Sequence, residues 1–370
     1  MKTLNFELPV NIPQDFEIKR YPKTTNKSLK AWSSSDEFAI HFIQLNNLES
    51  KSINIYNDGF GYLSCYLKNS TSIINTKSQE KAIKFNLSEN NQSIEDRGFK
   101  LITNTKGNVI DIALLKIPKS LESFEYYLHN ISQTLSDNSI VICSFMTKYF
   151  TKGIIEIAEK YFGEITQTKA WKKSRLLILS APYQLDANEL MNEIESEYGV
   201  FKQYYGVFSS KNIDYASQFL IQNMTLPSET SIALDLASGN GVLAKQIQNK
   251  MPDTEVHLVD DSILAIESSK LNITGDKIKF HLNNELSQFE YNYFDYIISN
   301  PPFHIEHEID ISLPIGLFKE VKRHLKVDGS FQLVFNKHLN YKTHLEKLFK
   351  EVSVTAENEK FTVLTCKLPR

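Results

Sequence analysis

SIALDLASGNGVLAKQIQNKM, residues 231–251, is an apolar run that ends in an acid, a pair of glycines, and then apolar residues at helical spacing. This order predicts a buried strand, a tight turn and a helix. Glycines at such a turn permit positive φ angles and let a ligand approach the backbone. A strand followed by a helix in this way is the repeating unit of α/β folds with a parallel sheet.

The residues that follow repeat the same alternation. Right-handed strand–helix–strand units, and hence a parallel sheet, are the expected result. The predicted strands are 256–261, 278–283, 293–299 and 330–336, and the predicted helices are 263–273 and 311–326, the second closed by Asp328-Gly329.

The N-terminal half contains a weaker copy of this pattern. INIYNDGFG (53–61) corresponds to the glycine turn, and DIALLKIPK (111–119) aligns with DYIISNPPF (295–303). The repeat indicates a duplicated domain, although two unrelated α/β domains could also look alike at this level. We therefore predict an α/β protein of two tandem Rossmann-like domains. The predicted divisions are a first domain at 1–182, a linker at 183–198 and a second domain at 199–370.

Length and composition limit the class of protein. A chain of 370 residues fits two domains of about 150 residues or more. With 41 Lys and Arg against 44 Asp and Glu, it lacks the basic excess of proteins that coat nucleic acid non-specifically. Three scattered cysteines argue against a disulfide framework or a zinc site, and no leader or membrane span is evident. The expected protein is cytoplasmic, without membrane, metal or obligate protein partner.

The acid of the glycine turn indicates the kind of ligand. Asp235 precedes Gly239 and Gly241, at the carboxyl end of a strand, where α/β sheets bind ligands. A carboxylate there would repel a pyrophosphate but would pair with the ammonium and sulfonium of S-adenosylmethionine. An NAD site or a simple tight turn remains the alternative for this motif taken alone.

Two further residues end neighbouring strands. Asp260 is placed to accept hydrogen bonds from two ribose hydroxyls, or else to cap a helix, a role that suits Asp261 better. Asn284 is placed to meet an adenine edge, or is a turn residue.

The motif Asn300-Pro301-Pro302-Phe303 follows the fourth strand of this half. Proline fixes its own φ and restricts the residue before it, so the loop is rigid. The Asn300 side chain and the Pro301 carbonyl are then two acceptors aimed at one spot, which suits an exocyclic NH2 group. Gripping both hydrogens favours a pyramidal nitrogen whose lone pair faces the methyl donor. Phe303 offers a face on which a planar base can stack.

His304 and His307 follow this motif. With no third ligand nearby, a metal site is not expected. We expect His304 to face the base or the RNA backbone, or solvent.

These motifs resemble the 23S ribosomal RNA guanine-N2 methyltransferases of the large-subunit type, relatives of the small-subunit guanine-N2 enzymes. The resemblance implies two tandem class I methyltransferase domains, of which only the second binds S-adenosylmethionine. It is carried by DLASGNG (235–241), HLVDDS (257–262), HLNNEL (281–286) and SNPPFH (299–304), and by LKAWSSSDEF (29–38) and NDGFGYLSC (57–65) in the first half.

By this resemblance, each site residue has an expected role. Asp235, Gly239 and Gly241 would hold the methionine part of the cofactor, Asp260 the ribose, and Asn284 would lie near the adenine. Phe208 and Ser209, in a GVFS segment, would line the pocket. Residues 300–303 would hold the guanine.

One residue departs from the family pattern. The first glycine of the turn is replaced by Ala237, whose methyl group is expected to narrow the cleft or to require negative φ.

The N-terminal half lacks the reactive residues. Lys-Ile-Pro-Lys (116–119) stands where the second half has the Asn-Pro-Pro-Phe motif. We predict a degenerate domain that docks 23S rRNA through phosphate contacts with aromatic support from Trp171, or else a solvated loop around a core tryptophan. The candidate RNA-binding residues are Lys116, Lys119, Lys172, Lys173, Arg175 and His304.

The preferred function is methylation of a guanine N2 amine in 23S rRNA. The alternatives are the corresponding small-subunit (16S) activity, and a catalytically silent RNA-binding or ribosome-assembly protein. Only Ala237 favours the silent protein in the second half.

Overall fold

The fold is described from a computed structural model, which covers residues 4–10, 12, 15–23, 29–107, 109–185, 188–301 and 312–370. The chain divides into two compact units, unit 1 (Met1–Leu190) and unit 2 (Met191–Arg370).

Unit 1 alternates strands with helices. Its elements are α1 (Ser34–Leu45), β1 (Ile53–Tyr56), α2 (Tyr62–Tyr66), β2 (Ser70–Ile74), α3 (Lys77–Glu89), β3 (Gly98–Leu101), β4 (Ile110–Lys116), α4 (Leu121–Ser132), β5 (Leu135–Met146), α5 (Lys152–Ala158), β6 (Phe162–Gln167) and β7 (Ser174–Pro182).

Unit 2 begins with a hairpin and then repeats the alternation. Its elements are β8 (Met191–Ser196), β9 (Gly199–Tyr204), α6 (Tyr215–Gln222), β10 (Ile232–Leu236), α7 (Val242–Lys250), β11 (Glu255–Asp260), α8 (Ile263–Asn272), β12 (Ile278–Leu282), β13 (Phe294–Ser299), α9 (Ser312–His324), β14 (Leu325–Asn336), α10 (Tyr341–Leu345), β15 (Phe349–Glu357) and β16 (Phe361–Pro369).

Both units contain a seven-stranded sheet with the same strand order, β3-β2-β1-β4-β5-β7-β6 in unit 1 and β12-β11-β10-β13-β14-β16-β15 in unit 2. The tandem Rossmann-like α/β fold is thus confirmed. The sheets are not wholly parallel, because the last two strands of each run antiparallel to their neighbours. The sequence analysis did not separate this terminal pair from the parallel part.

An aspartate side chain accepts from a backbone N–H just before β1 and again just before β10, which supports the predicted repeat. Asp111 Oδ2 accepts from the Ser52 backbone N–H at 3.0 Å, and Asp295 Oδ2 accepts from the Ser231 N–H at 3.0 Å. The alignment of Asp111 with Asp295 therefore corresponds to equivalent positions in space.

The predicted linker, residues 183–198, contains a strand. Met191–Ser196 pairs antiparallel with Gly199–Tyr204, and the division between the units falls before this hairpin. Ile194 is buried against the core of unit 2, although the segment is acidic overall. The second half of the predicted linker is therefore part of unit 2.

The predicted helix 311–326 also differs from the structure. The helix ends at His324, and β14 begins at the next residue, so Asp328-Gly329 lies inside a strand. The pairing of β13 with β14 shifts register between Phe294 and Tyr296, which accommodates this turn-like dipeptide within the sheet.

Successive side chains of β10 point to opposite faces of the unit 2 sheet, and this alternation determines which face Asp235 lies on. Ala233 packs into a core shared with α6 and α7, and Leu234 packs into a second core on the other face of the sheet. Asp235 follows this alternation onto the α7 side of the sheet. The carboxyl ends of β10, β11 and β13 pair in parallel register, so the residues after them meet at one edge.

Candidate functional site

The glycine turn connects β10 to α7. The φ angles of Gly239 and Gly241 are +55° and +82°, a region that favours glycine. A Cβ on Gly239 would meet nothing within 4 Å, whereas one on Gly241 would lie 3.3 Å from Leu258 and Ser269. Gly239 therefore borders open space, while Gly241 permits close packing of α7. The expected ligand contact of Gly241 stays a prediction.

Ala237 adopts the left-handed conformation, with φ of +61°. The expectation that its methyl group would require negative φ was wrong. Its backbone N–H donates to the Val259 carbonyl at 2.9 Å, which holds the turn against β11. The turn thus keeps its shape despite the strain of a Cβ in this region.

The Asp235 carboxyl is fully buried at the end of β10. Oδ2 accepts from the Ala244 N–H at 2.9 Å, while Oδ1 has no hydrogen-bond partner among the described residues. Burial, and to a lesser extent the charge of Asp260, raises the pKa of this carboxyl well above its usual range. A buried acid with an unused oxygen fits a ligand that brings a cation or a donor. The nearby Ser238 Oγ is likewise buried and lacks a partner within the described chain.

The Asp260 carboxylate connects the glycine turn to the next helix. Oδ2 accepts from the Gly239 N–H at 2.9 Å, and Oδ1 accepts from the Ser262 N–H at 2.8 Å. Each oxygen retains acceptor capacity for a ligand hydroxyl. Burial raises the pKa of Asp260 to about 6. The N-cap of α8 is Ser262, not Asp261 as expected.

Asn284 lies in the loop after β12. Its backbone N–H donates to the Asn283 Oδ1 at 2.9 Å, and the Asn283 N–H donates to the Asp260 carbonyl at 2.9 Å. This pair of bonds brings the loop next to the Asp260 strand end. The placement agrees with either interpretation of Asn284, a ligand contact or a turn residue.

Gln203, which the sequence analysis did not single out, holds the GVFS segment. Its fully buried Nε2 donates to the carbonyls of Val207 and Phe208 at 3.1 and 3.3 Å, and its Oε1 accepts from Asn240 Nδ2 at 2.9 Å. The segment is thereby tied to the glycine turn. Its polar side chain at a buried strand position was the available signal.

Phe208 and Ser209 are connected through Gln203 to Asn240 of the glycine turn, and their expected place in the pocket stays a prediction. The Phe208 side chain is 71% exposed. Ser209 has φ of +61°, and its hydroxyl donates to the Asn212 carbonyl at 2.6 Å. That bond uses the hydroxyl proton within the loop.

Asn300 follows β13 and contacts the start of α6. Its Nδ2 donates to Asp214 Oδ2 at 2.8 Å and to Ser217 Oγ at 2.9 Å. Its Oδ1 is buried and has no hydrogen-bond partner in the part of the chain described. The amide thus retains an unused acceptor, as the predicted grip on an NH2 group requires. An aspartate directly before a helical pattern was the signal for Asp214 as an N-cap.

The strands that carry these groups are joined at their carboxyl ends. Ser299 Oγ donates to the Leu236 carbonyl at 2.7 Å, one residue before Asn300 and one before Ala237. Pro301 is buried. Pro302, Phe303 and His304 lie outside the described residues, so their predicted roles stay predictions.

Unit 1 has different residues at the equivalent positions. The strand registers give Ile55 the position in unit 1 that Asp235 has in unit 2, and Ile74 the position of Asp260, so neither Asn75 nor Thr76 takes the place of that acid. Thr76 is instead the N-cap of α3. Lys116 takes the place of Asn300, and no acid stands at the position of Asp260. Asp58, however, accepts from the Ser64 N–H at 2.8 Å, as Asp235 does from the Ala244 N–H.

Two of the predicted RNA-binding residues have internal partners. Lys116 Nζ forms a 2.8 Å ion pair with Asp36, whose side chain is 2% exposed. Arg175 donates to Gln167 Oε1 at 3.0 Å across the β6–β7 pair. Because a buried carboxylate needs its counter-charge, the ion pair gives Lys116 a structural role, and its predicted RNA contact stays a prediction.

Lys119, Lys172 and Lys173 are exposed. Lys172 and Lys173 have φ of 43° and 60° and form the turn between Trp171 and Ser174. Trp171 packs in the core, as the alternative interpretation had it, and the Lys172 Nζ lies 4.5 Å from the centre of its ring. The Thr147 N–H donates to the Lys173 carbonyl at 2.8 Å, which brings Lys148 and Tyr149 next to this turn.

Neither a metal-binding cluster nor a membrane-spanning helix is found within the described ranges. No cluster of three or more His, Cys, Asp or Glu side chains there is arranged to hold a metal ion. No helix in that part of the chain combines the length and apolar character needed to cross a bilayer.

Comparison with known proteins identifies related sequences along both units. Residues 9–183 match the RLMG N-terminal domain, and residues 199–365 match the methyltransferase small domain. A protein of Klebsiella pneumoniae named ribosomal RNA large subunit methyltransferase G is 30% identical over 361 residues, 94% of this chain and 95% of that protein. Its namesake from Pseudoalteromonas translucida is 29% identical over 365 residues, 95% of each chain.

A solved structure shares the fold. The 16S rRNA N2 methyltransferase of T. Thermophilus, in complex with AdoMet and guanosine, superposes with a TM-score of 0.73 at 18% identity. The match covers 86% of this chain and 88% of that chain. The shared architecture includes both units.

Proposed function

We propose that this chain, which belongs to the ribosomal RNA large subunit methyltransferase G family, methylates the exocyclic N2 amine of a guanine in 23S rRNA. The chain is an rRNA methyltransferase that uses S-adenosylmethionine. One observation carries the assignment of an amine target: Asn300 is anchored through both N–H groups and keeps a buried, unused oxygen. A buried acceptor without a partner is costly unless a ligand donates to it.

The residues at the carboxyl ends of β10 and β11 fit the cofactor. The unused Asp235 oxygen suits an ammonium group, and the open face of Gly239 lets a ligand approach the backbone. Asp260 is held by two backbone N–H groups and retains acceptor capacity for ribose hydroxyls. When bound, S-adenosylmethionine supplies the electrophilic methyl group. We propose that Asn284 and the Phe208-Ser209 segment border the same cofactor.

Asn300 and Pro301 would act on the guanine. The Asn300 Oδ1 and the Pro301 carbonyl accept the two amine hydrogens, which withdraws the nitrogen lone pair from conjugation with the ring. Neither group takes a proton as a base, so the contribution is positioning and electrostatic stabilisation. Phe303 would stack on the base, and Pro302 would stiffen the loop.

Unit 1 would dock the RNA. Lys119, Lys172 and Lys173 are its exposed candidates for phosphate contact, and unit 1 has Ile74 and Lys116 at the positions of Asp260 and Asn300. We propose that 1–182 is the docking domain, that 199–370 is the catalytic domain, and that the protein acts in the cytoplasm.

The function is tested by mass mapping of rRNA from cells with and without this gene. The proposal expects one methyl group to be missing from one guanine of 23S rRNA. A methyl group missing from 16S rRNA would instead support the small-subunit activity. An unchanged methylation pattern, together with no cofactor binding, would support the silent RNA-binding protein.

The Asn300→Ala variant tests the site itself. Because the contact with the amine strengthens in the transition state, turnover should fall far more than cofactor affinity. Single-turnover assays on rRNA and calorimetry with the cofactor separate the two effects. Equal losses in both would contradict the role given to Asn300.

A further inference from the structure

The first turn of α6 holds the Asn300 side chain. Asp214 is the N-cap of this helix, and its Oδ2 accepts from the N–H groups of Ala216 and Ser217 at 3.0 and 3.2 Å. The same oxygen accepts from Asn300 Nδ2 at 2.8 Å, across 86 positions of sequence. Ser217 Oγ lies 2.9 Å from the same nitrogen. One helix terminus therefore occupies the donor end of the Asn300 amide.

The chemistry of Asp214 permits a single orientation of that amide. An ionised carboxylate only accepts hydrogen bonds, so it must face the NH2 end of the asparagine. An amide rotated by half a turn would set its carbonyl oxygen against the carboxylate and leave a buried N–H without its charged acceptor. The rotated amide would also offer two donors to the target amine, which itself donates. Only the observed orientation leaves Oδ1 available.

We propose that Asp214 and Ser217 are positioning residues that orient the Asn300 amide so that its oxygen faces the target amine. The inference rests on the proposed function, because it concerns the same amine grip. It adds residues that act through Asn300 without touching the substrate. The helix cap supplies their rigidity, since Asp214 is held in place by two backbone N–H groups.

Unit 1 offers an independent comparison at the equivalent position. There the equivalent residue is Lys116, the last of β4, and it contacts Asp36 in the first turn of α1 at 2.8 Å. The contact between strand end and helix start is thus present in both units. A lysine can only donate, however, so the residue at the position of Asn300 offers no acceptor to an amine in unit 1. In unit 2 the corresponding residue is Asn300, whose amide donates to Asp214 through Nδ2 and keeps Oδ1 as an acceptor.

The test compares Asp214→Ala, Asp214→Asn and Ser217→Ala in the full chain. For Asp214→Ala, kcat on rRNA should fall by about tenfold to a hundredfold, the size of effect that a displacement of about 1 Å can cause. The dissociation constant of S-adenosylmethionine should change by less than about twofold, because Asn300 is not a cofactor residue. Ser217→Ala should cause a smaller fall in kcat, and it leaves the Asp214 cap in place.

Two variants separate orientation from helix stability. Asp214→Asn should recover most of the turnover, since the oxygen of the new amide can accept from Asn300 Nδ2 and from a helix N–H. Ser120→Ala removes the matched N-cap of α4, where Ser120 Oγ accepts from the Ser123 N–H at 3.2 Å. It lowers stability by loss of a cap but should leave kcat unchanged.

Three results would overturn the inference. The first is a kcat for Asp214→Ala equal to that of Ser120→Ala. The second is a parallel loss of cofactor binding and turnover, which would make the contact merely structural. The third is no recovery in Asp214→Asn. If the wild-type chain and Asn300→Ala both fail to methylate rRNA, the proposed function fails as well. If the wild-type chain is active and Asp214→Ala is equally active, only the positioning role of Asp214 is removed.

Discussion

Individual side chains in unit 2 combine a local structural contact with an unused binding capacity. Asp235 and Asn300 each use one end of the side chain on the protein, and each keeps a buried oxygen without a partner in the described residues. Such atoms are uncommon in folded proteins, and at the carboxyl ends of these strands they fit a ligand group that donates. The residue types were evident from the sequence, but the unused atoms were not.

Asp260 should make cofactor binding depend on pH. Burial raises the pKa of the free carboxyl from 3.8 to about 6, and ribose hydroxyls bind the ionised form better. Affinity should therefore rise as the pH increases through about 6 and level off above it. The folding stability of the free protein depends on pH in the opposite direction. The raised pKa of Asp260 contributes stability that is fully present below the unfolded pKa and is lost as the pH rises through about 6. Calorimetry with S-adenosylmethionine at pH values on both sides of 6 measures the step.

Asp260→Asn provides the control for this dependence. The amide does not titrate, so the pH step should disappear. Asp260→Ala should weaken binding by about 1.5–3 kcal/mol, the usual size of a hydrogen bond to a charged group. A pH step that persists in Asp260→Asn would assign the titration to another group.

At the level of elements, the hairpin β8–β9 supports the site from outside the main sheet. Asn272 in α8 exchanges hydrogen bonds with the backbone of Lys202, at 2.7 and 2.8 Å, and Gln203 connects the hairpin to the glycine turn. The sequence analysis placed part of this hairpin in a linker because the segment is acidic and polar. Its buried side chains alternate over a short hairpin, a pattern too brief to recognise against that composition.

Gln203→Ala should lower both stability and cofactor affinity. The change leaves buried carbonyls and the Asn240 amide without their partner, at a cost of about 2–3 kcal/mol in unfolding free energy. It also frees the Val207–Ser209 backbone, which borders the proposed cofactor site. Thermal unfolding and calorimetry measure the two effects.

Gln246→Ala is the matched control for this prediction. Gln246 is half-buried and makes one long bond, 3.4 Å, to the Tyr198 carbonyl. Its replacement should change unfolding by less than about 1 kcal/mol. A Gln203→Ala variant as stable as Gln246→Ala would show that the segment is held by other contacts.

In the whole molecule, two units of one topology have different chemistry. Unit 2 keeps the acids and the amide at the carboxyl ends of its strands, whereas the equivalent positions of unit 1 are Ile55, Ile74 and Lys116. Both kinds of residue are compatible with the same sheet, because strand order depends on the apolar alternation and not on the residue that ends a strand. One unit can therefore have other residues at these positions and still keep the same fold.

The turn of Lys172 and Lys173 should contribute to rRNA affinity. If both lysines contact phosphates, the double variant Lys172→Gln, Lys173→Gln should lower the dependence of log K on log salt by about 1.5–2. Cofactor affinity should not change. Filter binding of rRNA at several salt concentrations measures the slope, with Lys347→Gln, Lys350→Gln as a control of equal charge change in unit 2. An unchanged slope would place the RNA contacts elsewhere.

The order of strands and helices, the repeat and the position of Asn300 at a strand end could be predicted because they depend on local periodicity and chain order. The tertiary structure alone showed that Gly241 packs inward, that Lys116 is neutralised by Asp36, and that Asp214 meets Asn300. These contacts join residues far apart in sequence. Whether a side chain faces a neighbour or a ligand is determined by packing across the sheet, which local pattern does not specify.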